Sequence, residues 1–304
     1  MTNVGSPNAF LILAHDDIPM LERICHRIGR NPIFVHLDKR CPLSQSEKAK
    51  FPDWVIFLEQ RRICYWADMS IVDATIDLIR AALNQPEIRR ISLISGHCYP
   101  IKSAKAISEF LATSADTNFI QCVKIEKNSH QYNNISRRWF TRPVVGIANE
   151  RERPVFSVAN SVVNKLSSYV PRDIDSEIRP GSPYFGSQWW SFNRSTAEKM
   201  IYSAAAQYVY NAFRSTFAPD EMYFQTIFTN IAHAGATVGS DAYLGVKTIY
   251  SAPLHLISQS VDRHFSDNAD ARFLIQNSDH LFARKLSSSD TDLLDWIDCE
   301  VANV

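Results

Sequence analysis

Ala9-Phe10-Leu11-Ile12-Leu13-Ala14 is an unbroken apolar run that stops abruptly at the polar triplet His15-Asp16-Asp17. A strand open to water on one face would alternate, so this run reads as a strand covered on both faces, as in a parallel sheet. Immediately downstream, Pro19 to Ile28 carries apolar residues at helical spacing, with Gly29 placed to cap the helix. Pro32-Ile33-Phe34-Val35-His36-Leu37-Asp38 then repeats the buried-strand pattern. A strand, a helix and a second buried strand in this order make a right-handed crossover and a parallel pair. Further out, Trp54 to Leu58 reads as a third strand. Met69 to Leu83 reads as an amphipathic helix with Ile71, Ala74, Leu78, Ile79 and Ala82 on one face. Ile91-Ser92-Leu93-Ile94-Ser95 is a fourth strand ending at Gly96, followed by a helix over Ala104–Leu111 and a strand over Asn118–Val123. The alternation predicts an α/β fold: an open, mixed, mostly parallel sheet flanked by helices. Such sheets bind ligands beyond the carboxyl ends of their strands, where His15, Asp38 and Gly96 fall.

The bulk composition narrows the function classes. With 304 residues, 45% hydrophobic and 21% charged, the chain can bury a sizeable core and is not of disordered type. Lys and Arg number 32 and so do Asp and Glu, so no global field draws the chain to nucleic acid, and an anion site must be a local cluster. Six cysteines (25, 41, 64, 98, 122 and 299) show no CxxC pair and no metal-like spacing, which predicts reduced thiols. The N-terminus carries no signal-peptide pattern, and no apolar run reaches membrane-spanning length. The expectation is a cytoplasmic protein, brought to the inner face of the membrane only if its acceptor is lipid-linked.

The second half is less regular. Residues 126–183 are basic and proline-bearing, with Arg137-Arg138-Trp139, Arg142 and a helix across Ser157–Leu166. Next come a strand at Gly186-Ser187-Gln188-Trp189-Trp190, a helix from Ser195 to about Phe213, and a helix from Asp220 to Ile231 opened by Pro219-Asp220-Glu221. The adjacent carboxylates carry two readings: an N-cap with a first-turn acid, or a base for a hydroxyl group. Trp189 and Trp190 alternate across the expected strand, so one faces the core and the other a cleft, where an indole suits the CH face of an acceptor sugar. Arg138, Trp139 and Arg142 read either as acceptor contacts or as a solvated basic face. Asp173-Ile174-Asp175 and Asp290-Thr291-Asp292 fit Asp-x-Asp, but the first lacks a leading apolar strand and the second resembles helix capping. A metal role for His36-x-Asp38 is less expected than hydrogen bonds to a nucleotide or a loop.

Four blocks, in order along nearly the whole chain, resemble the core-2/I-branching glycosyltransferase family, which includes the peptide O-xylosyltransferases (glycosyltransferase family 14). They are Phe10–His15 with Val35-His36-Leu37-Asp38-Lys39; Leu93-Ile94-Ser95-Gly96-His97-Cys98-Tyr99-Pro100-Ile101-Lys102; Gly186–Ser191 with Pro219-Asp220-Glu221 and Phe224-Gln225-Thr226; and Phe282-Ala283-Arg284-Lys285. The resemblance, to a bacterial-type member, implies one GT-A-type domain over 1–304, with a nucleotide-binding half at 1–125 and an acceptor and catalytic half at 126–304. It implies inverting transfer from a UDP-sugar, with no cofactor and no Asp-x-Asp metal. Glu221 is then the catalytic base. Lys285 and a cation some twenty positions earlier, Arg263, hold the diphosphate, and His15 and Asp38 join the nucleotide-sugar site. Trp189, Trp190, Asp220 and Arg138 are the expected acceptor contacts, with Asp220 also raising the pKa of Glu221. Two departures stand out: His97-Cys98 replaces a commonly acidic position, and Arg137 stands where branching enzymes carry an acid before Arg-Trp.

The chemistry is coherent without the resemblance. Inversion needs one base opposite the leaving group, and a carboxylate with a raised pKa suits it. The departing UDP gains negative charge, which Arg and Lys can offset in place of a metal. A cation at ~4 Å in an effective dielectric near ~20 contributes about 4 kcal/mol before desolvation. The donor and acceptor come from the resemblance alone, which implies UDP-N-acetylglucosamine, with UDP-xylose as the alternative, and a glycan or glycolipid hydroxyl. A non-catalytic nucleotide-sugar or glycan-binding module is the competing class. A glycoside hydrolase fits worst, because adjacent carboxylates cannot straddle a glycosidic bond at a separation of about 5–10 Å.

Overall fold

The computed structural model describes residues 8–141, 153–170, 172–178, 181–232, 236–238, 251–260 and 262–301. In chain order the strands are β1 Asn8–Ala14, β2 Ile33–Leu37, β3 Val55–Phe57, β4 Arg90–Ser95, β5 Cys98–Pro100, β6 Thr117–Phe119, β7 Val123–Lys124, β8 Tyr184–Phe185, β9 Ser191–Asn193, β10 Ala236–Val238, β11 Ser251–Ala252, β12 His255–Ile257 and β13 Phe282–Arg284. Seven of them form the main sheet in the order β10-β6-β9-β4-β1-β2-β3. β1 pairs in parallel with both β2 and β4, and β9 runs antiparallel between β4 and β6. The sheet is open, mixed and mostly parallel, as its apolar runs predict.

Burial explains those runs. Phe10, Leu11, Ile12, Ile33, Val35, Leu93 and Ile94 are buried, because helices cover the sheet. The helix Met69–Leu83 lies against it and buries Val72, Ala74, Leu78, Ile79 and Ala82. Gly29 caps the first helix, Ile18–Ile28, with φ of 71°, a left-handed conformation that glycine adopts without strain.

A four-stranded sheet, β11-β12-β13-β5, sits beside the main one. There β13 pairs antiparallel with β5, setting Ala283 opposite Tyr99 and Arg284 opposite Cys98. Two blocks nearly two hundred residues apart in sequence thus become neighbouring strands. Both sheets draw strands from each side of residue 125.

Several second-half boundaries differ from expectation. The 118–123 strand divides into β6 and β7, and the 195–213 helix divides at Ser203, whose hydroxyl accepts from Ala206 N and starts the second helix. Trp189 and Trp190 precede β9 and are not on a strand, although the Trp190 carbonyl still accepts from Leu93 N at 2.9 Å. The expected helix over 220–231 is a 3-10 turn at Pro219–Glu221, a short helix Tyr223–Ile227 and a π turn Phe228–Ala232. Ala218 occupies the cap position with φ of 50°, so Asp220 is not the N-cap. Arg142 lies outside the described residues.

Gly186 sits at the tightest approach in this region. A Cβ there would lie 1.8 Å from the Gln121 carbonyl oxygen, and that obstruction is backbone. Gly186→Ala is therefore expected to destabilise the protein by at least the ~1–3 kcal/mol of an overpacked core, read as a lower urea midpoint at unchanged slope.

Candidate active site

A cavity of about 780 Å³ opens at the carboxyl ends of β1 and β4, between the main sheet and the β5–β13 pair. Its walls bring together His15, His97, Trp189, Asp220, Glu221, Arg284 and Lys285, from all four sequence blocks, and also Arg263.

The carboxylates reach it through a clamp between two segments. Gly186 N donates to the Glu221 carbonyl at 2.8 Å, and Ser187 N donates to Gln121 Oε1 at 3.0 Å. Gln225 Nε2 donates to the Ser187 carbonyl at 2.7 Å, while Thr226 Oγ1 accepts from Tyr184 N and donates to the Tyr184 carbonyl. Phe224 packs on Trp190, with ring centroids 5.3 Å apart. On the other side, Ala218 N donates to the Ala67 carbonyl at 3.1 Å, and both alanines hold left-handed backbone. The Pro219-Asp220-Glu221 turn is therefore fixed from both sides.

The environment of the pair is electrostatically costly. Asp220 is buried, and its Oδ1 has no hydrogen-bond partner among the described residues. Burial raises its pKa, and the nearby Asp68 carboxylate raises it further. Burial also raises the pKa of Glu221, strengthened by the Asp220 charge and opposed by Arg263. The two adjacent carboxylates interact, so the protons belong to the pair as a unit.

Three cations line the same cavity. Arg263 and Lys285 are joined by backbone, with Lys285 N donating to the Arg263 carbonyl at 2.8 Å and Phe265 N to the Lys285 carbonyl at 3.0 Å. The two residues are thus neighbours in the fold. Burial lowers the Lys285 pKa, as do Arg284 and Arg263, while Asp262 opposes. Arg284, which sequence reasoning passed over, joins them: it donates to Ser95 Oγ, reaches Cys98 Sγ at 3.5 Å, and lies 4.4 Å over the Trp189 ring. Its signal was present in the sequence, since it is the residue before Lys285 in the same block.

Other expected site residues fall elsewhere. Trp190 is 1% exposed and stacks on Phe192 at 4.3 Å, which corrects its assignment to the acceptor: it is core. Trp189 does line the cavity, but it is buried within the wall, with Arg284 over its face. Both indoles are buried because neither lies on the alternating strand that would have exposed one of them. Arg138 does not line the cavity; it pairs with Glu177 at 3.6 Å and donates to Ser215 Oγ at 3.2 Å. Asp38 is also displaced from its expected role. Buried beneath the wall, it accepts from Arg40 Nε at 3.0 Å, Arg40 Nη2 at 2.9 Å and Cys64 N at 2.8 Å. Burial opposes its ionisation, but these bonds hold its pKa below the usual value. His36 is likewise committed, its Nε2 accepting from Arg62 N at 2.9 Å.

Neither Asp-x-Asp pair lines the cavity. Asp173 caps a short helix and Asp175 meets Lys127 at 3.6 Å, while Asp290 accepts from Ser287 N at 2.7 Å. Two aromatic residues of the cavity, Trp66 and Phe217, were not anticipated. Trp66 is 81% exposed and packs edge-on to Phe217 at 5.3 Å. No sequence pattern marks an indole that folding leaves uncovered.

The pH dependence of stability follows from the pair. A carboxylate whose pKa is higher folded than unfolded contributes stability while protonated, and loses it as pH climbs from the ordinary carboxylate range through the raised value. Glu221→Gln should therefore melt a few degrees above the parent protein near ~pH 9, with the gap closing near ~pH 4. Thermal denaturation at the two pH values checks this.

Comparison with known proteins gives the lineage. Among curated proteins, no sequence matches this chain. The described fold is similar to a solved structure titled mannose-1-phosphate geranyltransferase, from Thermus thermophilus, at 12% identity and a TM-score of 0.33, over 76% of this chain and 72% of that one. Among the described residues, no helix is long and apolar enough to cross a membrane. Residues 8–243 match the Core-2/I-Branching enzyme family. The chain belongs to that family of glycosyltransferases, whose members take a nucleotide-sugar donor and a glycan acceptor.

Proposed function

We propose that the protein is an inverting transferase that moves a sugar, N-acetylglucosamine before xylose, from a UDP-sugar to a glycan or glycolipid hydroxyl, within one catalytic domain and without a catalytic metal. The observation that carries this reading is one cavity lined by both a raised-pKa carboxylate and three cations. The acceptor hydroxyl approaches Glu221, which takes its proton as the oxygen attacks the anomeric carbon. The leaving UDP oxygen develops charge opposite, beside Arg263, Arg284 and Lys285. Burial makes each cation more effective than it would be in water, and their positions are fixed before the reaction begins. Asp220 acts through Glu221 by keeping it basic, and His15 completes the donor side. The family assignment favours N-acetylglucosamine, since branching is its named activity.

Glu221→Gln keeps the shape of the site and removes the base. It should bind UDP as the parent does and lose about 10²–10⁴-fold in transfer, in an assay of UDP release from a panel of UDP-sugars. Normal turnover in that variant would sink the base assignment.

Lys285→Ala should weaken UDP about 10–100-fold, the loss of one charge-assisted contact. UDP should raise the melting temperature of the parent protein equally with and without EDTA. A thermal shift that disappears in EDTA would overturn the metal-free reading.

A further inference from the structure

At the carboxyl ends of β1 and β4, three side chains turn their ligand atoms toward one point. Parallel pairing sets Leu13 opposite Ser95, so His15 and His97, each two residues further on, leave the sheet side by side. Their ring centroids are 5.7 Å apart. Asp16 lies between them, with Oδ2 at 3.3 Å from His15 Nε2 and Oδ1 at 2.9 Å from His97 Nε2. All three ligand atoms lie within 4.8 Å of one another. The adjacent Asp17 is occupied elsewhere. Its Oδ1 accepts from Met20 N at 3.2 Å and its Oδ2 from Ser288 N at 2.9 Å, while its left-handed φ of 47° turns the chain.

The other nitrogen of His97 decides the chemistry. Nδ1 stands 3.0 Å from the Leu286 carbonyl, which can only accept, so Nδ1 carries a proton and donates it. Nε2 then faces a carboxylate that also only accepts, and their 2.9 Å separation is favourable only with a positive centre between them. A backbone carbonyl holding the far nitrogen is the usual way an imidazole is oriented toward a metal. His97 is thereby anchored, its side chain 16% exposed, while His15 and Asp16 at 66% and 56% remain free to adjust toward an ion.

We propose that His15, Asp16 and His97 form a binding site for a transition-metal dication that takes no part in the transfer step. Two imidazoles and one carboxylate select Zn²⁺, Co²⁺ or Ni²⁺ over Mg²⁺ and Ca²⁺, which prefer oxygen. Ligand separations of 2.9 and 3.3 Å match the edges of a coordination shell with bonds of about 2.0–2.2 Å. His15 and His97 line the same cavity as Arg263, Arg284 and Lys285 but are distinct residues from that group, and the proposal does not rest on the transferase reading.

The test uses the full chain, stripped with EDTA and desalted. Titration calorimetry with ZnCl₂ should show one ion per chain, and Co²⁺ should give visible d–d absorption. Asp16→Asn and His15→Ala, both on exposed side chains, should each weaken Zn²⁺ at least tenfold and abolish the Co²⁺ bands. His26→Ala, on a histidine bonded only to the Lys50 carbonyl, should change neither. Mg²⁺ in excess should not displace Zn²⁺. Lack of saturable Zn²⁺ uptake, or uptake unchanged in both variants, would overturn the proposal, because a proton rather than a metal would then bridge His97 and Asp16.

Discussion

The site depends on one backbone hydrogen bond, from Gly186 N to the Glu221 carbonyl at 2.8 Å. It holds a three-residue turn, too short to be stable alone, against a segment that is itself pinned by Gln121 and Gln225. Only glycine fits at 186, since any side chain would meet the Gln121 carbonyl. Phe224 and Trp190 seal the contact with apolar area, and Thr226 satisfies the polar groups of Tyr184. The residues of the third block thus have distinct physical duties. In the proposed reaction Glu221 faces the chemistry, and the others hold it there.

Fixing two adjacent carboxylates under such burial costs stability above the ordinary carboxylate range. The fold tolerates this because Arg263 offsets the charge of Glu221 and because the clamp holds the turn from both sides. Arg263, Arg284 and Lys285 would repel one another in an empty cavity, and burial already lowers the Lys285 pKa. An anionic ligand such as a diphosphate relieves that repulsion. The acidic and basic groups of the cavity therefore carry opposite penalties, and each is eased by one partner of the proposed reaction.

The sheet was largely legible in the sequence because buried parallel strands write themselves as continuous apolar runs. β1, β2 and β4 fall within a residue or two of their expected positions, and the helix Met69–Leu83 matches end for end. The site was legible where its residues sit in compact blocks: His15, Glu221 and Lys285 all reach the cavity. It was illegible where tertiary packing decides. Trp190 alternates with Trp189 on paper, yet both are buried because the chain there is not a strand. Asp38 lies where a ligand contact is expected, but Arg40, two residues on, folds back and takes its oxygens. The helix expected to begin at Asp220 is broken into three short turns, because the clamp and the left-handed Ala218 override local propensity. The pairing of β5 with β13, which brings Arg284 to the site, spans a distance that no local pattern encodes.

In the proposed reaction, burial and a carboxylate neighbour hold Glu221 ready to accept a proton. The most direct measurement is a pH titration of glutamate side chains labelled with ¹³C at the carboxyl carbon, followed by NMR in the parent protein and in Asp220→Asn. The account predicts one glutamate resonance titrating well above the ordinary carboxylate range, absent from Glu221→Gln and shifted downward in Asp220→Asn. If every glutamate titrates in the ordinary range, the account is contradicted.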